Sequence, residues 1–370
     1  MSSKTFDVRS TYIWNEIHEQ PAAVQRALEQ SLPDIRRIAE EVKKREIDLI
    51  VLVARGTSDH AALYAQYVFQ YLNGIPVALA TPSIVTLYGA RLKLQHALVI
   101  GISQSGAAPD VTGVVTQARE AGALTVGITN AEGSLLASAA EYALYCAAGP
   151  ELSVAATKTY TTTCAILAQL AAHLPGGDVL IKHVGRLPEL VAAALQSEAH
   201  VASLAPRYVH ARDCVVLGRA FHYSTARETA LKLSETCYLV ATPFSTADFR
   251  HGPTAIIEYG RPVMLYAPPG RTLADTFELL KLLKEKEADT IVVAEDARLL
   301  ELATTPIPAR LPALNGPVSG YEASAPIDVA ELLSPIPYII YGQFLAMHLS
   351  VEKRLNPDKP RGLTKVTRTM

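Results

Sequence analysis

Short, wholly apolar runs alternate with helical stretches along this chain, and that alternation constrains its fold more than any other feature. In the first half, the predicted strands lie at 49–53, 77–80, 97–102, 124–128 and 142–146. Helical stretches such as 58–72 and 107–120 lie between them. Strands that are apolar on both faces and are separated by crossover helices form a parallel sheet covered by helices on both sides.

The pattern restarts after a helical bridge at roughly 153–204. The second set of predicted elements comprises strands at 214–217, 263–267 and 290–293 and helices at 224–239 and 272–286. Both halves begin alike, with "VLVARGTS" in the first and "VVLGRAFHYS" in the second, where Arg and Gly or Ala follow a strand. We therefore predict an α/β fold with two doubly wound parallel-sheet αβα sandwich domains and an irregular C-terminal tail.

The remaining segments complete this division of the chain. Apolar residues at helical spacing over 11–45, interrupted at Pro21, predict helices near the start, and the Pro-rich stretch 304–317 is predicted to be a loop. An apolar helix is predicted at 338–351, just before the tail. The predicted units are an N-terminal helical segment 1–34, a first domain 35–180, a second domain 200–350 and a C-terminal tail 351–370.

Composition and charge exclude several classes of partner. The net charge is -2, so no overall positive field attracts nucleic acid or an anionic membrane. The first ten residues contain no apolar signal core, and no apolar run reaches the length of a membrane span. The four cysteines lack metal-ligand spacing and are expected to be buried thiols in a reducing compartment. We expect a cytoplasmic protein with no metal, no nucleic acid and no membrane partner.

Polar residues follow two predicted strands of the first half, in "RGTSD" (55–59) and "ISQSGAAPD" (102–110). Open α/β sheets bind ligands at the carboxyl ends of their strands, where these residues are expected to lie. Hydroxyls, an amide and the N–H groups of a helix N-terminus suit a single phosphate held by neutral donors. The absence of GxxxxGK[ST] excludes a nucleotide P-loop. Taken alone, such serines are also explained by a structural role, in which they cap a helix and form a turn.

Three further features are ordinary when each is taken alone. Glu228, Lys232 and Glu235 share one face of a predicted helix, which is typical of a solvated stripe of ion pairs. His251 lies in the loop "FRHGP"; a loop histidine can carry a proton, although most are plain surface residues. Lys365 lies in "PRGLTK", a segment that looks like a frayed chain end.

Six motifs taken together resemble those of SIS (sugar isomerase) double-domain proteins, in the same order along the chain. They are "RGTSDHAALYAQYVF", "ISQSGAAPD", "ELSVAATKTYTTT", "GRAFHYSTARETALKLSE", "DFRHGP" and "PRGLTK". The likeness extends over nearly the whole chain and includes "NEIHEQPAAV" near its start. The chain resembles the isomerase half of glucosamine-6-phosphate synthases and the shorter SIS-type glucosamine-6-phosphate deaminases.

This resemblance implies roles for ten residues and requires no cofactor. The implied substrate-binding residues are Thr57, Ser58, Ser103, Gln104, Ser105, Val154 and Lys232, with Ser58 and the SQS residues on the phosphate and Thr57 and the Val154 backbone near the sugar. The implied catalytic residues are Glu235 as the base, His251 for ring opening and Lys365 in a tail that closes over the sugar. In that family the histidine comes from the partner subunit, which implies a homodimer here.

Departures from the synthase pattern favour the deaminases. The synthase loop SQSGET is SQSGAA here, so Ala107 and Ala108 lack a carboxylate and a phosphate-binding hydroxyl. Ala156 stands in place of a serine and Arg55 in place of a cysteine. The 370 residues contain no glutaminase-like domain, and no Cys follows Met1. Without a source of channelled ammonia, the expected direction is release of the amine.

The expected function is that of an amino-sugar-phosphate deaminase/isomerase that converts glucosamine 6-phosphate to fructose 6-phosphate and ammonia. Galactosamine 6-phosphate, or a fructosamine 6-phosphate cleaved by a deglycase, is the alternative substrate within the same family. The alternative from another class is a non-catalytic sugar-phosphate sensor. That alternative predicts loss of Glu235, His251 or Lys365, and all three are present.

Overall fold

A parallel sheet forms the core of each half of the chain. The computed structural model describes residues 7–365; the predicted segments at 1–6 and 366–370 lie outside the described residues. The first sheet consists of β1 (Leu49–Val53), β2 (Val77–Leu79), β3 (Ala97–Ile102), β4 (Leu124–Thr129) and β5 (Tyr142–Tyr145). Its strand order is β2-β1-β3-β4-β5, all parallel. Every residue of β3 and β4 is buried, as expected for strands covered on both faces.

The second sheet repeats this topology. It consists of β6 (Asp213–Gly218), β7 (Val240–Ser245), β8 (Pro262–Ala267), β9 (Asp289–Ala294) and β10 (Thr305–Pro308). Its order, β10-β9-β8-β6-β7, is that of the first sheet when the strands of each half are matched in sequence. A short antiparallel pair, β11 (Pro317–Val318) and β12 (Ile327–Asp328), follows. The predicted α/β fold of two doubly wound sheets is confirmed.

Sixteen α-helices within residues 7–365 cover these sheets. Those of the first half are α1 (Tyr12–His18), α2 (Gln20–Lys44), α3 (Thr57–Asn73), α4 (Pro82–Thr86), α5 (Pro109–Glu120), α6 (Leu135–Ala139) and α7 (Lys158–His173). Those that follow are α8 (Ile181–Val184), α9 (Leu187–Leu195), α10 (Glu198–Leu204), α11 (His222–Cys237), α12 (Thr246–Arg250), α13 (Leu273–Glu285), α14 (Ala297–Leu302), α15 (Val329–Leu333) and α16 (Pro335–Glu352). Short 3-10 turns lie at Val8–Ser10, Asp178–Leu180, Ala205–Tyr208 and Pro253–Ile256.

Proline explains where the observed elements differ from the predicted ones. The stretch 304–317 was predicted to be a loop, which is wrong for β10, because Thr305–Pro308 pairs with β9 at the edge of the second sheet. An edge strand tolerates Pro, since an N–H that points to solvent is not needed. β7, the opposite edge, contains Pro243 and was not predicted. Near the start of the chain the predicted interruption is present, but the two helices separate at Glu19, and Pro21 lies in the first turn of α2.

One continuous apolar core joins the two halves. It includes buried residues of α2, α7 and α16 together with one face of each sheet, whereas two smaller clusters cover the outer faces. Within this core α3, which follows β1, packs against α11, which follows β6. This contact places the carboxyl edge of the first sheet beside a helix of the second half.

Candidate functional site

A cavity of ≈ 360 Å³ lies at the carboxyl ends of β1 and β3. These two strands are neighbours, and their crossover helices leave in opposite directions along the sheet, which is the switch point where doubly wound sheets bind ligands. The residues that line it are Arg55, Gly56, Thr57, Ser58, Ile102, Ser103, Gln104, Ser105, Ala108, Val111, Val154, Ala156, Glu235, Leu363, Thr364 and Lys365. Eight of the ten predicted site residues are therefore brought together.

The two polar loops present donors that have no other partner. Within residues 7–365, neither the Ser58 hydroxyl nor the Ser103 hydroxyl makes a hydrogen bond, although Ser103 is only 8% exposed. The Ser105 hydroxyl accepts from the Ala107 N–H at 3.3 Å and so also shapes its own loop. Gly106 turns this loop at a φ of 60°, where a Cβ would collide with the Ser134 side chain. The loop is thus fixed while its hydroxyls remain available to a ligand.

The Glu228–Lys232–Glu235 face is not a solvated stripe, as an isolated helix would suggest. Glu228 is 0% and Lys232 1% exposed, because α3 covers this face of α11. The Lys232 Nζ lies 2.6 Å from Glu235 Oε2, 3.2 Å from Thr57 Oγ1 and 3.3 Å from Glu228 Oε1. Burial acts to lower the pKa of Lys232, but the two carboxylates outweigh it and the pKa is raised. Lys232 is therefore a buried cation that holds Glu235 at the cavity without lining the cavity itself.

Behind these residues, Glu228 makes contacts that sequence reasoning missed. The Thr57 hydroxyl donates to Glu228 Oε1 at 3.1 Å, and Nδ1 of the buried His60 lies 2.7 Å from its Oε2. The residues of this pair are separated by 168 positions along the chain, so no local pattern signals it. Glu228 and Lys232 together fix the N-terminus of α3 relative to Glu235.

The Lys365 side chain is engaged on the wall of the cavity. Its Nζ donates to Glu151 Oε2 at 2.9 Å and to the Ser153 carbonyl at 2.7 Å. The Glu151 carboxylate is buried and also accepts from the Thr157 and Thr159 N–H groups. Burial acts to raise the pKa of Glu151, but Lys365 and these N–H groups outweigh it and lower the pKa. Lys365 thus faces a carboxylate that is held in its ionised form.

The segment before Lys365 is anchored rather than frayed. Asp358 accepts the N–H groups of Tyr12 and Ile13 at the start of α1, both at 2.9 Å. Its carbonyl accepts the Val154 N–H at 3.1 Å. Further along, the Arg361 guanidinium lies 4.2 Å from the centre of the Tyr238 ring. The tail is therefore tied both to α1 and to the loop that carries Glu151.

Glu16, on α1, completes this cluster and was not singled out from the sequence. It accepts the N–H groups of Leu152 and Ser153, the latter at 3.2 Å. Its second oxygen, Oε2, is buried without a hydrogen-bond partner. Burial and the neighbouring Glu151 carboxylate raise the pKa of Glu16 to about 7. This carboxyl therefore titrates near neutral pH, beside the residues that hold Lys365.

The structure does not place His251 in the cavity. It is exposed, it follows α12, and its N–H donates to the Asp248 carbonyl at 3.0 Å. The four cysteines are buried and unpaired, and no group of three or more metal-ligating side chains is present in the described part of the chain. Within residues 7–365, no helix has the length and apolar character that crossing a membrane requires.

A model of the SIS domain matches residues 45–173 and 208–300. The glutamine–fructose-6-phosphate aminotransferase [isomerizing] of Pyrococcus horikoshii is 36% identical over 359 residues, which are 96% of this chain and 57% of that relative. The matched part is also 57% of the corresponding enzyme of Methanothermobacter thermautotrophicus. The chain thus spans little more than half the length of the curated relatives it matches.

Solved structures share the whole fold. The C-terminal domain of glucosamine-fructose-6-phosphate aminotransferase from Francisella tularensis superposes with a TM-score of 0.80 at 24% identity, covering 95% of this chain and 98% of that one. Glucosamine-6-phosphate deaminase from Thermotoga maritima gives 0.74 at 19% identity, covering 97% and 100%. At these identities the likeness is evidence for the fold alone.

Proposed function

The chain belongs to the SIS domain family, and from that premise we propose that it is an amino-sugar-phosphate deaminase that converts glucosamine 6-phosphate to fructose 6-phosphate and ammonia. The observation that carries the proposal is the composition of one cavity. Hydroxyl and N–H donors suited to a phosphate lie on one wall, and a carboxylate, Glu235, and an amine, Lys365, are among the other groups that line the cavity. This combination suits a phosphorylated sugar that undergoes proton transfer.

In this proposal the strand-end loops hold the phosphate. Ser58, Ser103, Gln104 and Ser105 supply neutral donors, assisted by the N-terminus of α3. Thr57 and the Val154 backbone lie on the sugar side. Anchoring the phosphate fixes C1 and C2 relative to Glu235, so that binding energy is converted into orientation of the reacting carbons.

Glu235 then moves the proton. In the open-chain amino aldehyde it removes the C2 proton, giving an enolate whose negative charge lies on the C1 oxygen, with the amino nitrogen still at C2. Return of a proton to C1 yields the C2 imine, and water hydrolyses that imine to the ketone and ammonia. Lys232, at 2.6 Å, keeps the Glu235 carboxylate oriented between these two steps.

The contacts of Lys365 favour one of its two expected roles. The Lys365 amine forms an ion pair with the Glu151 carboxylate at 2.9 Å and also donates to the Ser153 carbonyl, and a nitrogen engaged as a donor in this way suits stabilisation of charge better than nucleophilic attack. We therefore assign Lys365 the stabilisation of negative charge that develops on the sugar oxygen, rather than formation of an imine of its own.

We assign ring opening to His251 of a second copy of the chain. In a single chain this histidine is exposed and does not line the cavity, so a role in catalysis requires a second subunit to bring it there. A homodimer with shared sites is thus part of the proposal.

An ammonia-release assay across amino sugar phosphates tests the proposed function. We expect release from glucosamine 6-phosphate, loss of at least a hundredfold in kcat for Glu235→Gln, and the parental rate for the exposed control Glu132→Gln. Galactosamine 6-phosphate and a fructosamine 6-phosphate complete the panel and separate the related substrates. Conversion of plain aldose phosphates without any ammonia release would contradict the deaminase assignment.

The synthetic direction is the second candidate, because the curated relatives are glutamine–fructose-6-phosphate aminotransferases. In this direction ammonia condenses with the C2 ketone of fructose 6-phosphate, with loss of water, and the same proton transfer run backwards converts the imine to glucosamine 6-phosphate. Incubation of fructose 6-phosphate with ammonium salts measures this direction with the same protein, and the ratio of the two rates at equal saturation decides between them.

A further inference from the structure

Arg55 introduces a cation into a cavity whose phosphate site was expected to use neutral donors alone. It follows β1 and lines the cavity together with Ser58, Ser103 and Ala108. Its Nε donates to Asp110 Oδ2 at 2.6 Å. The Asp110 side chain is fully buried, whereas that of Arg55 is 51% exposed. Within residues 7–365, the two terminal nitrogens of the guanidinium have no hydrogen-bond partner.

Among the described residues that line the cavity, no other cation has two unpartnered donor nitrogens. The second is Lys365, and its ammonium already donates to the Glu151 carboxylate and to the Ser153 carbonyl. Lys232 lies behind the cavity and is held between two carboxylates. An incoming dianion therefore meets Arg55 as the available positive charge.

The local sequence around α5 gives this charge a specific task. Asp110 lies in the first turn of α5, so its own carboxylate occupies the end of the helix that favours an anion. The N-cap residue of that helix is Ala108, which has no hydroxyl to offer a phosphate. A phosphate bound at this edge thus requires a cation near Asp110 and a replacement for the missing hydroxyl, and one guanidinium supplies both.

We propose that Arg55 is the residue that makes this cavity specific for phosphorylated sugars, with Asp110 fixing Nε while the two terminal nitrogens bind phosphate oxygens as a fork. The proposal rests on the proposed function, because it takes the ligand to be a sugar phosphate. Arginine suits the role, since its planar group can be held at one nitrogen and still present a bidentate pair. Lysine, which has one nitrogen, cannot do both.

The test measures binding by calorimetry, without turnover, to the full chain. The probes are fructose 6-phosphate, fructose and inorganic phosphate. For Arg55→Leu we expect an affinity for fructose 6-phosphate about 10- to 100-fold weaker, from the loss of two charge-assisted hydrogen bonds, and unchanged affinity for fructose. Arg55→Lys retains the charge without the fork and recovers part of the loss. Arg36→Leu, an exposed arginine outside the cavity, removes the same net charge and serves as the matched control.

A second comparison separates the phosphate contact from simple neutralisation of Asp110. If Arg55 binds phosphate, the double variant Arg55→Leu/Asp110→Asn binds fructose 6-phosphate more weakly than Asp110→Asn alone. Equal affinities for those two proteins would overturn the proposal. Should Arg55→Leu fail to fold, Arg55→Lys still decides, because parental affinity in that variant contradicts a fork.

The outcome is distinguishable from failure of the proposed function. If fructose 6-phosphate binds the parent protein and Arg55→Leu equally well, the role of Arg55 is wrong while the deaminase assignment stands. If binding depends on Arg55 but no amino sugar phosphate releases ammonia, the deaminase assignment is wrong and the phosphate fork stands. If the parent binds neither fructose 6-phosphate nor inorganic phosphate, both are wrong.

Discussion

Glu16 provides a prediction about stability whose sign and size follow from its surroundings. The side chain is 3% exposed, faces Glu151 and Lys365, and has one oxygen without a partner. We expect Glu16→Gln to stabilise the protein relative to the parent above neutral pH and to have much less benefit in acid. The variant mimics the protonated carboxyl, since its amide oxygen can still accept from the Leu152 and Ser153 N–H groups.

The sign follows from the direction of the pKa shift. Burial, followed by repulsion from Glu151, raises the pKa of Glu16 from 4.5 to about 7 in the folded protein. A raised pKa means that the folded state favours the proton. The corresponding stability is fully present below the unfolded pKa of 4.5 and is lost as the pH rises through about 7. Glutamine has no proton to lose, so its variant escapes this loss.

The magnitude is measurable. A shift of this size corresponds to roughly 3 kcal/mol at 1.36 kcal/mol for each pKa unit, of which about 2 to 3 kcal/mol develops between pH 5 and pH 8.5. For a chain of this length the unfolding entropy is about 0.8 kcal/mol/K, so the difference in Tm between variant and parent changes by about 3 °C. Any constant cost of the buried amide cancels, because it is the same at both pH values.

Scanning calorimetry at one scan rate measures this difference at both pH values. Glu40→Gln, an exposed change on the neighbouring helix α2, is the matched control and is expected to show the same difference from the parent at both. If the difference between Glu16→Gln and the parent stays constant from pH 5 to pH 8.5, the ionisation of Glu16 is not linked to folding, and the reasoning is refuted.

Three further predictions concern the proposed site. Ser103→Ala should raise KM for the sugar phosphate, because the phosphate loses the hydrogen bond from the Ser103 hydroxyl, and the loss of binding free energy should be about 1 to 3 kcal/mol. An unchanged KM in steady-state kinetics would contradict this role. Glu235→Gln and His251→Ala should each be nearly inactive alone and recover activity on mixing, as one intact site forms in each heterodimer; no recovery after proven subunit exchange would exclude a shared site. Truncation after Arg361 should abolish turnover, and Lys365→Met should reproduce most of that loss. Both changes should also lower the Tm, since the buried Glu151 carboxylate loses its cation, although the described residues beyond Arg361 are largely exposed. A parental rate in the truncated protein would exclude a role for Lys365.

The sequence was informative where one local signal determines the outcome. Strand 97–102 was predicted with its observed ends, because a buried parallel strand is a continuous apolar run. The residues at the carboxyl edge followed from topology, since the ends of parallel strands meet there whatever the tertiary details. Ser58 and Ser103 could therefore be predicted as site residues without knowing any distant contact.

What the sequence did not reveal depends on pairs that are remote along the chain. Glu151 has no local feature that marks it as a partner of Lys365, which lies 214 positions away. Asp358 caps α1 from 346 positions away, and this contact turns an apparent chain end into part of the cavity wall. The sequence pattern around Lys232 predicts a solvated side chain, but α3 packs over it and buries it. In each case the missing information is which helix or loop packs on which.

The two repeats differ at the carboxyl edges of their sheets, and this difference is consistent with the proposed phosphate site at the first sheet. The helices α3 and α11 follow equivalent strands, β1 and β6. However, α3 presents hydroxyls at its start, whereas α11 presents Glu228, Lys232 and Glu235 along its side. At the carboxyl edge of the second sheet, the loop after β8 is Pro268, Pro269 and Gly270, and the adjoining cavity is lined by the carboxylates Glu295 and Asp328. Burial of Glu295 and repulsion from Asp328 raise the pKa of Glu295. Negative charge is therefore unfavourable in this cavity. Under the proposed function, a dianionic sugar phosphate therefore binds at the first sheet, and the second half contributes α11, which carries Glu235.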